Sequence, residues 1–232
     1  MKTIRRIAHL QPFEPVGLGH YQDPINEAQI PLDVFTLDGD MPNLDHYDAV
    51  AMSGGPQSVN DAELEPMVDA VREAHNREIP VLGSCLGGQA IGKAIGMRVV
   101  DATRHEYGFG RVRLTDDGRT SKLLQGVPDI FGTFQAHNEM ILNDPKTQHD
   151  IKVLAEGGGM IQSMQAGETS FVMQSHPELP LADVNDWADN VPQLTVMNRQ
   201  ILYQRFVLAY PRHRHIAQTI MRNFLDIVAE RR

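Results

Sequence analysis

The only cysteine of the chain, Cys85, stands in the run Gly83-Ser84-Cys85-Leu86-Gly87. This G-x-C-x-G pattern is the thiol counterpart of G-x-S-x-G, in which a nucleophile occupies a sharp strand-to-helix turn. The flanking glycines let chain segments pass closely on either side. At such a turn the sulfur leaves the carboxyl end of a strand and faces a helix N-terminus. Unpaired N–H groups and the positive end of the helix dipole there favour thiolate over thiol. The N–H of Leu86, next after the thiol, is free to donate to an oxyanion. A thiol nucleophile also needs a base, and a group that orients the base, brought together in space and not in sequence. Residues 171–178 read FVMQSHPE, so an apolar strand delivers His176, Pro177 and Glu178. Both polar groups can face one pocket, with the turn between them restricted by the proline. A third run, Ser53-Gly54-Gly55-Pro56, follows a short apolar stretch, and its glycines suit a second oxyanion donor near Gly55.

Each feature also has a plainer reading. Cysteine is among the most buried residue types, so Cys85 suits a structural core position. His176 with Glu178 suits an exposed loop, and SGGP suits an ordinary turn. A phosphate-binding loop fits poorly. Gly87, Gly92 and Lys93 satisfy G-x-x-x-x-G-K, but Ala94 stands where magnesium needs Ser or Thr. Those glycines also fall within a helix pattern, which makes Lys93 a solvent-facing helix residue. No metal or cofactor is expected. His213 and His215 are two apart on a helix start and face different sides, while His105-Glu106 and His149-Asp150 are adjacent pairs without further ligands. All of these read as solvated polar residues.

The elements that must position these groups follow from apolar periodicity. Residues 3–10, 32–37 and 48–53 read as strands, the last ending at GGP. Leu64, Met67, Val68 and Val71 recur at helical spacing over 62–77. Residues 80–84 form the next strand, and Ile91, Ala94 and Ile95 mark a helix that stops near Gly96. Strand, helix, strand, helix in this order predicts a mostly parallel α/β sheet. Beyond residue 97, GRVRLT, IKVLAE, GMIQSMQ and SFVMQS are separated by short polar turns and read as hairpins appended to that sheet. From about 199 the chain is helical again, with Ile216, Ile220, Phe224 and Ile227 as a core-facing stripe.

Composition narrows the classes. The 232 residues are 41% hydrophobic and 22% charged, enough for a packed core and against disorder. A formal net charge of −9 without any basic block excludes a nucleic-acid surface. No apolar run approaches the ~20 residues of a membrane span, and the N-terminal stretch lacks the apolar region of a secretory leader. A lone cysteine forms no internal disulfide. These features predict one domain over 1–232, cytoplasmic, with a small-molecule or protein partner and no membrane.

In this order, SGGP, GSCLGGQ and QSHPE resemble the class I glutamine amidotransferases, the triad glutaminases. YDAVAMSGGPQSVND (47–61) and EYG (106–108) are similar to the stand-alone members that resemble the GMP synthase glutaminase domain. The resemblance implies a flavodoxin-like sheet and a triad with Cys85 as nucleophile, His176 as base and acid, and Glu178 as orienter. It also implies Gly55 and Leu86 N–H groups in the oxyanion hole, and substrate binding by Gln89, Tyr107 and Gly108. The implied chemistry is attack of the Cys85 thiolate on a γ-carboxamide, loss of ammonia, and hydrolysis of a γ-glutamyl thioester. One departure stands at FQAHNEMIL (134–142). There His137 is kept, but Asn138 and Glu139 follow where relatives carry glycine and aspartate. His137 either shapes a substrate rim or satisfies a loop hydrogen bond. The stretch 180–212, with Trp187, has no counterpart and reads as an elaborated surface segment. Three functions remain open: a glutaminase that hands ammonia to a separate synthetase chain, a free-standing hydrolase or transferase of γ-glutamyl compounds, and a non-catalytic binding relative.

Overall fold

The computed structural model describes residues 3–143, 150–184 and 196–231. Four short apolar runs form strands β1 (Ile7–Gln11), β2 (Leu32–Thr36), β3 (Ala49–Met52) and β4 (Val81–Ser84). With them come helices α1 (Gln22–Glu27), α2 (Glu65–Asn76) and α3 (Leu86–Ala94). The second part of the chain supplies β5 (Val99–Leu114), α4 (Asp116–Thr120), β6 (Ile130–Ile141), β7 (Ile151–Gly157), β8 (Met160–Ala166) and β9 (Ser170–Met173). A long helix, α5 (Val196–Glu230), ends the fold.

One sheet runs β2-β1-β3-β4-β9-β8-β7-β5-β6. Its first five strands pair in parallel, and the pairs from β9 onward are antiparallel. The parallel part has the flavodoxin-like order, whose ligand crevice lies beyond the strands' carboxyl ends near the point where strand order reverses. Side-chain alternation builds a core on each face. Ile7, Ala49, Ala51, Leu82, Phe171 and Met173 pack with α1 and the C-terminal half of α5. Their neighbours Ala8, Val50, Met52, Val81 and Val172 pack with α2 and α3. The stripe Ile216, Ile220, Phe224 and Ile227 is buried in the first of these cores, as its spacing predicts.

Several expectations need correction. Strand β1 starts at Ile7, later than the run from residue 3 suggests. SFVM is the fifth parallel strand as well as one arm of a hairpin, because β9 pairs with β4 on one side and β8 on the other. FQAHNEMI is not a loop but most of β6. Lys93 is not turned to solvent: its ammonium meets Glu65 at 2.7 Å and the Val59 carbonyl at 2.9 Å. His213 is buried on α5, and Glu106 is half-buried beside His137, so neither is a solvated surface group. Nor is 180–212 a surface appendage throughout. Val184, Leu202 and Phe206 form a third apolar cluster with Phe134 and Leu179. Trp187 and His149 lie outside the described residues.

Candidate active site

The turn from β4 to α3 places Cys85 at φ +49° and ψ −110°, outside the regions an L-residue adopts without cost. The glycines around it answer to close approach. A Cβ at Gly83 would collide with the Gly87 carbonyl, and one at Gly87 would collide with the Met52 carbonyl at the end of β3. The turn is fixed by backbone bonds. Cys85 N–H donates to the Met173 carbonyl at 2.7 Å, and the Cys85 carbonyl accepts the first helical bond from Gln89 N–H at 2.8 Å. No side chain caps α3, so its leading N–H groups, Leu86 among them, belong to the unpaired set of a helix N-terminus.

His176 is carried just past the end of β9, where it meets β6. His176 N–H donates to the Phe134 carbonyl at 2.8 Å, an isolated antiparallel bridge. The His176 ring is buried and its Nδ1 lies 2.9 Å from Glu178 Oε1, itself buried. A carboxylate only accepts, so Nδ1 carries the proton and Nε2 is the nitrogen available to the thiol. Burial opposes charge on this ring, yet the adjacent Cys85 sulfur and the Glu178 carboxylate outweigh it, and His176 is pushed up to about 10. The arrangement favours the imidazolium form of His176.

The walls of the site come from three further segments. A Cβ at Gly54 would sit 3.2 Å from His176 Cε1 and 3.6 Å from Cys85 Cβ, so this glycine lies flat against both. Gly55 lies next to Leu86, whose Cδ2 a Cβ there would meet at 3.0 Å. From β6, the Ala136 carbonyl is 3.9 Å from Cys85 Sγ. From beyond β9, Gln174 Nε2 is also 3.9 Å from the sulfur. Buried Gln89 donates from Nε2 to the Glu139 carbonyl at 3.2 Å, tying α3 to β6. The Glu139 carboxylate accepts from Ser58 Oγ at 2.6 Å.

The structure therefore gathers Cys85, His176, Glu178, Gly55, Leu86 and Gln89 at the carboxyl ends of β3, β4 and β9. Tyr107 and Gly108 are placed differently. They sit on β5 opposite Ala136 and Gln135. The Tyr107 hydroxyl donates to Asn138 Oδ1, and Gly108, at φ +102°, lies against Leu202 of α5. Their contacts run to β6 and α5. His137 is a buried strand residue with Nε2 3.3 Å from Glu106 Oε2. Glu106 accepts from Gln162 Nε2 at 2.9 Å.

Sequence reasoning missed three neighbours of the site. Gln174 was visible inside QSHPE, but nothing in its spacing marks its amide as facing the sulfur. Tyr21 is buried, and its hydroxyl is raised well above its usual value by burial first and by the Glu178 charge second. His20 donates its backbone N–H to the Glu178 carbonyl at 2.8 Å. The contacts of Tyr21 and His20 exist only once the segment before α1 has folded across the end of the sheet. Among the described residues no group of three or more His, Cys, Asp or Glu side chains is placed to hold a metal ion. No described helix is long and apolar enough to cross a membrane.

Comparison with known proteins shows the family. The family model described as glutamine amidotransferase class-I matches residues 22–184. One subunit of the glutamine-hydrolyzing GMP synthase of Sulfurisphaera tokodaii is 32% identical over 138 residues, covering 59% of this chain and 70% of that protein. A glutamine amidotransferase-like protein of Salmonella typhimurium is 33% identical over 153 residues, covering 62% of each. Among solved structures, a glutamine amidotransferase from Methylobacillus flagellatus superposes with a TM-score of 0.83 over 97% of this chain and 95% of that one. At 20% identity, that likeness speaks for the fold alone.

Proposed function

This chain belongs to the class I glutamine amidotransferase family, and on that premise we propose that it hydrolyses the γ-carboxamide of glutamine and passes the ammonia to a separate synthetase chain. The observation that carries the reading is the buried His176 Nδ1, 2.9 Å from Glu178, on a ring held at about 10 beside the Cys85 sulfur. In the proposed mechanism the Cys85 thiolate attacks the carboxamide carbon and forms a C–S bond. The carbonyl oxygen becomes an oxyanion that receives the N–H groups of Leu86 and Gly55, each such donor typically contributing about 3 kcal/mol. His176 Nε2–H protonates the departing nitrogen, the C–N bond breaks, and ammonia leaves a γ-glutamyl thioester. Neutral His176 then takes a proton from water, whose oxygen attacks the thioester; the C–S bond breaks and glutamate is released with the thiolate restored. Glu178 holds the ring in the required tautomer throughout and stabilises its charged form.

The partner is proposed from the relative of Sulfurisphaera tokodaii, which is named as one subunit of its synthase and so implies another in that enzyme. One observation favours a second reading. Strand β6 brings the Ala136 carbonyl to 3.9 Å from the sulfur, and Asn138 and Glu139 follow it in the run where the family pattern is not kept. A γ-glutamyl peptide could therefore be the preferred substrate, hydrolysed without a partner. Incubation of the pure protein with L-glutamine and γ-glutamyl dipeptides, with free glutamate as the readout, separates the two. Turnover of glutamine, abolished in Cys85→Ala and raised by a synthetase chain, is expected. Faster turnover of dipeptides would establish the second reading. Turnover that survives Cys85→Ala would overturn both.

A further inference from the structure

The segment before α1 grips Glu178 from behind, and that grip is anchored to the C-terminal helix. Gly19 packs so closely under the Glu178 carbonyl that a Cβ would collide with it, and His20 N–H donates to the same carbonyl at 2.8 Å. The buried His20 ring continues outward. Its Nδ1 lies 3.2 Å from Asp23 Oδ2, and its Nε2 lies 2.7 Å from the Tyr210 hydroxyl. With Asp23 a carboxylate, Nδ1 is the donor on that side, which leaves Nε2 to accept the Tyr210 O–H. Asp23 in turn accepts from Arg214 Nη2 at 2.9 Å and Gln218 Nε2 at 2.8 Å. Tyr210, Arg214 and Gln218 are spaced four apart, so one face of α5 holds the whole assembly. The same face carries Phe206 and the buried His213, whose rings lie 4.8 Å apart. His213 is near enough to feel the charge of His176.

We infer that His20 is a positioning residue for Glu178. Its backbone holds the Glu178 segment, and its ring locks that hold to α5 through Tyr210 and Asp23. The reason is geometric. Glu178 stands only two residues from His176, so a small displacement of its main chain swings the carboxylate away from Nδ1. A second histidine–carboxylate pair, His20–Asp23, thus stands one layer behind His176–Glu178. The inference rests on the roles proposed for Cys85, His176 and Glu178.

The test compares Tyr210→Phe, His20→Ala and His20→Gln with the unaltered protein, with Glu178→Gln as reference. Two readouts are taken: kcat and KM for glutamine, and the rate of Cys85 alkylation by iodoacetamide at pH 7, followed by intact mass. Loss of one hydrogen bond in the relay is expected to lower kcat about three- to tenfold, with KM within about twofold of its starting value. Alkylation should change in the same direction as in Glu178→Gln, and His20→Gln, which keeps an acceptor for Tyr210, should recover part of the loss. Unchanged kcat and alkylation in Tyr210→Phe and His20→Ala, beside a clear effect of Glu178→Gln, would overturn the inference and leave the proposed mechanism standing. So would a lowered Tm with kcat per folded molecule unchanged. No effect of Glu178→Gln would instead remove the mechanism on which the inference depends. If His20→Ala does not fold, Tyr210→Phe, which keeps the ring, decides; if glutamine turnover is too slow to measure, the alkylation rate decides.

Discussion

Cys85 holds φ +49° without being glycine, and a residue kept in so sparsely populated a conformation typically costs roughly 1–3 kcal/mol. The turn accepts this because the close approach of Gly83 to Gly87, and of Gly87 to Met52, leaves no room for another path between β4 and α3. Two thiol-free variants separate the strain from the chemistry. Cys85→Ala and Cys85→Gly both remove the sulfur, but only glycine relaxes the backbone. Cys85→Gly is expected to be the more stable of the two by about 1 kcal/mol in urea denaturation, both being inactive. Equal midpoints would mean the turn carries no strain. Cys85, His176 and Glu178 were legible because their types, a strand before each site and a rigid Pro177 narrowed what the motifs could do. The Gln174 amide beside the sulfur was not, since facing is a property of the folded strand end. Tyr107 and Gly108 came from resemblance and pair from β5 with Ala136 and Gln135 of β6, a register that no spacing rule would have given.

Helix α5 is two helices in function. Its C-terminal half is core, and its apolar period announces it. Its N-terminal half is hard to read, because Ile201, Val207 and Leu208 are exposed among buried Leu202 and Phe206 and blur the stripe. Pro211 inside the helix also reads as a stop, since it lacks an N–H and leaves the Val207 carbonyl without its helical partner. Tertiary packing overrides that signal: Phe206 stacks edge-on to Phe109 and Phe134, each at 5.9 Å, and meets Tyr210 and His213. Phe206→Ala is therefore expected to cost about 3–5 kcal/mol, read as a fall in Tm. It should also depress glutamine turnover, because Phe134, whose carbonyl holds His176 N–H, loses its backing. A loss under about 1 kcal/mol would show that this half of α5 is only loosely attached. The parallel strands were legible for the opposite reason. Their runs are short, apolar and bounded by turn residues, whereas the pairing of β9 with β4 depends on a partner far away in the chain.

Taken over the whole molecule, three buried histidines set opposite pH limbs. His9 is lowered to about 4 and His213 to about 3, burial being the first cause in both. Each stays neutral in the fold, while the unfolded chain takes up a proton near 6.5. Their contribution is fully present above that value and is lost as pH falls toward 4 and 3. His176 works the other way. Its charge is kept up to about 10 against burial, by Cys85 and Glu178, so its contribution is fully present below 6.5 and is lost as pH rises through about 10. Urea midpoints should thus peak near neutrality, and His176→Gln should flatten the alkaline decline between 6.5 and 10; an unchanged decline would rule out the charged pair. The sheet order has a further consequence, in time. Strand β9 is the shared seam between β4 and β8, yet it is made long after β4. On a ribosome the segment from Cys85 to His176 takes roughly 5–20 s to emerge. During that interval the growing chain carries its thiol on an open strand edge, a surface prone to wrong pairing. Insertion of β9 closes the edge and, on the proposed mechanism, delivers the base in the same event, so a half-made chain is expected to release no ammonia.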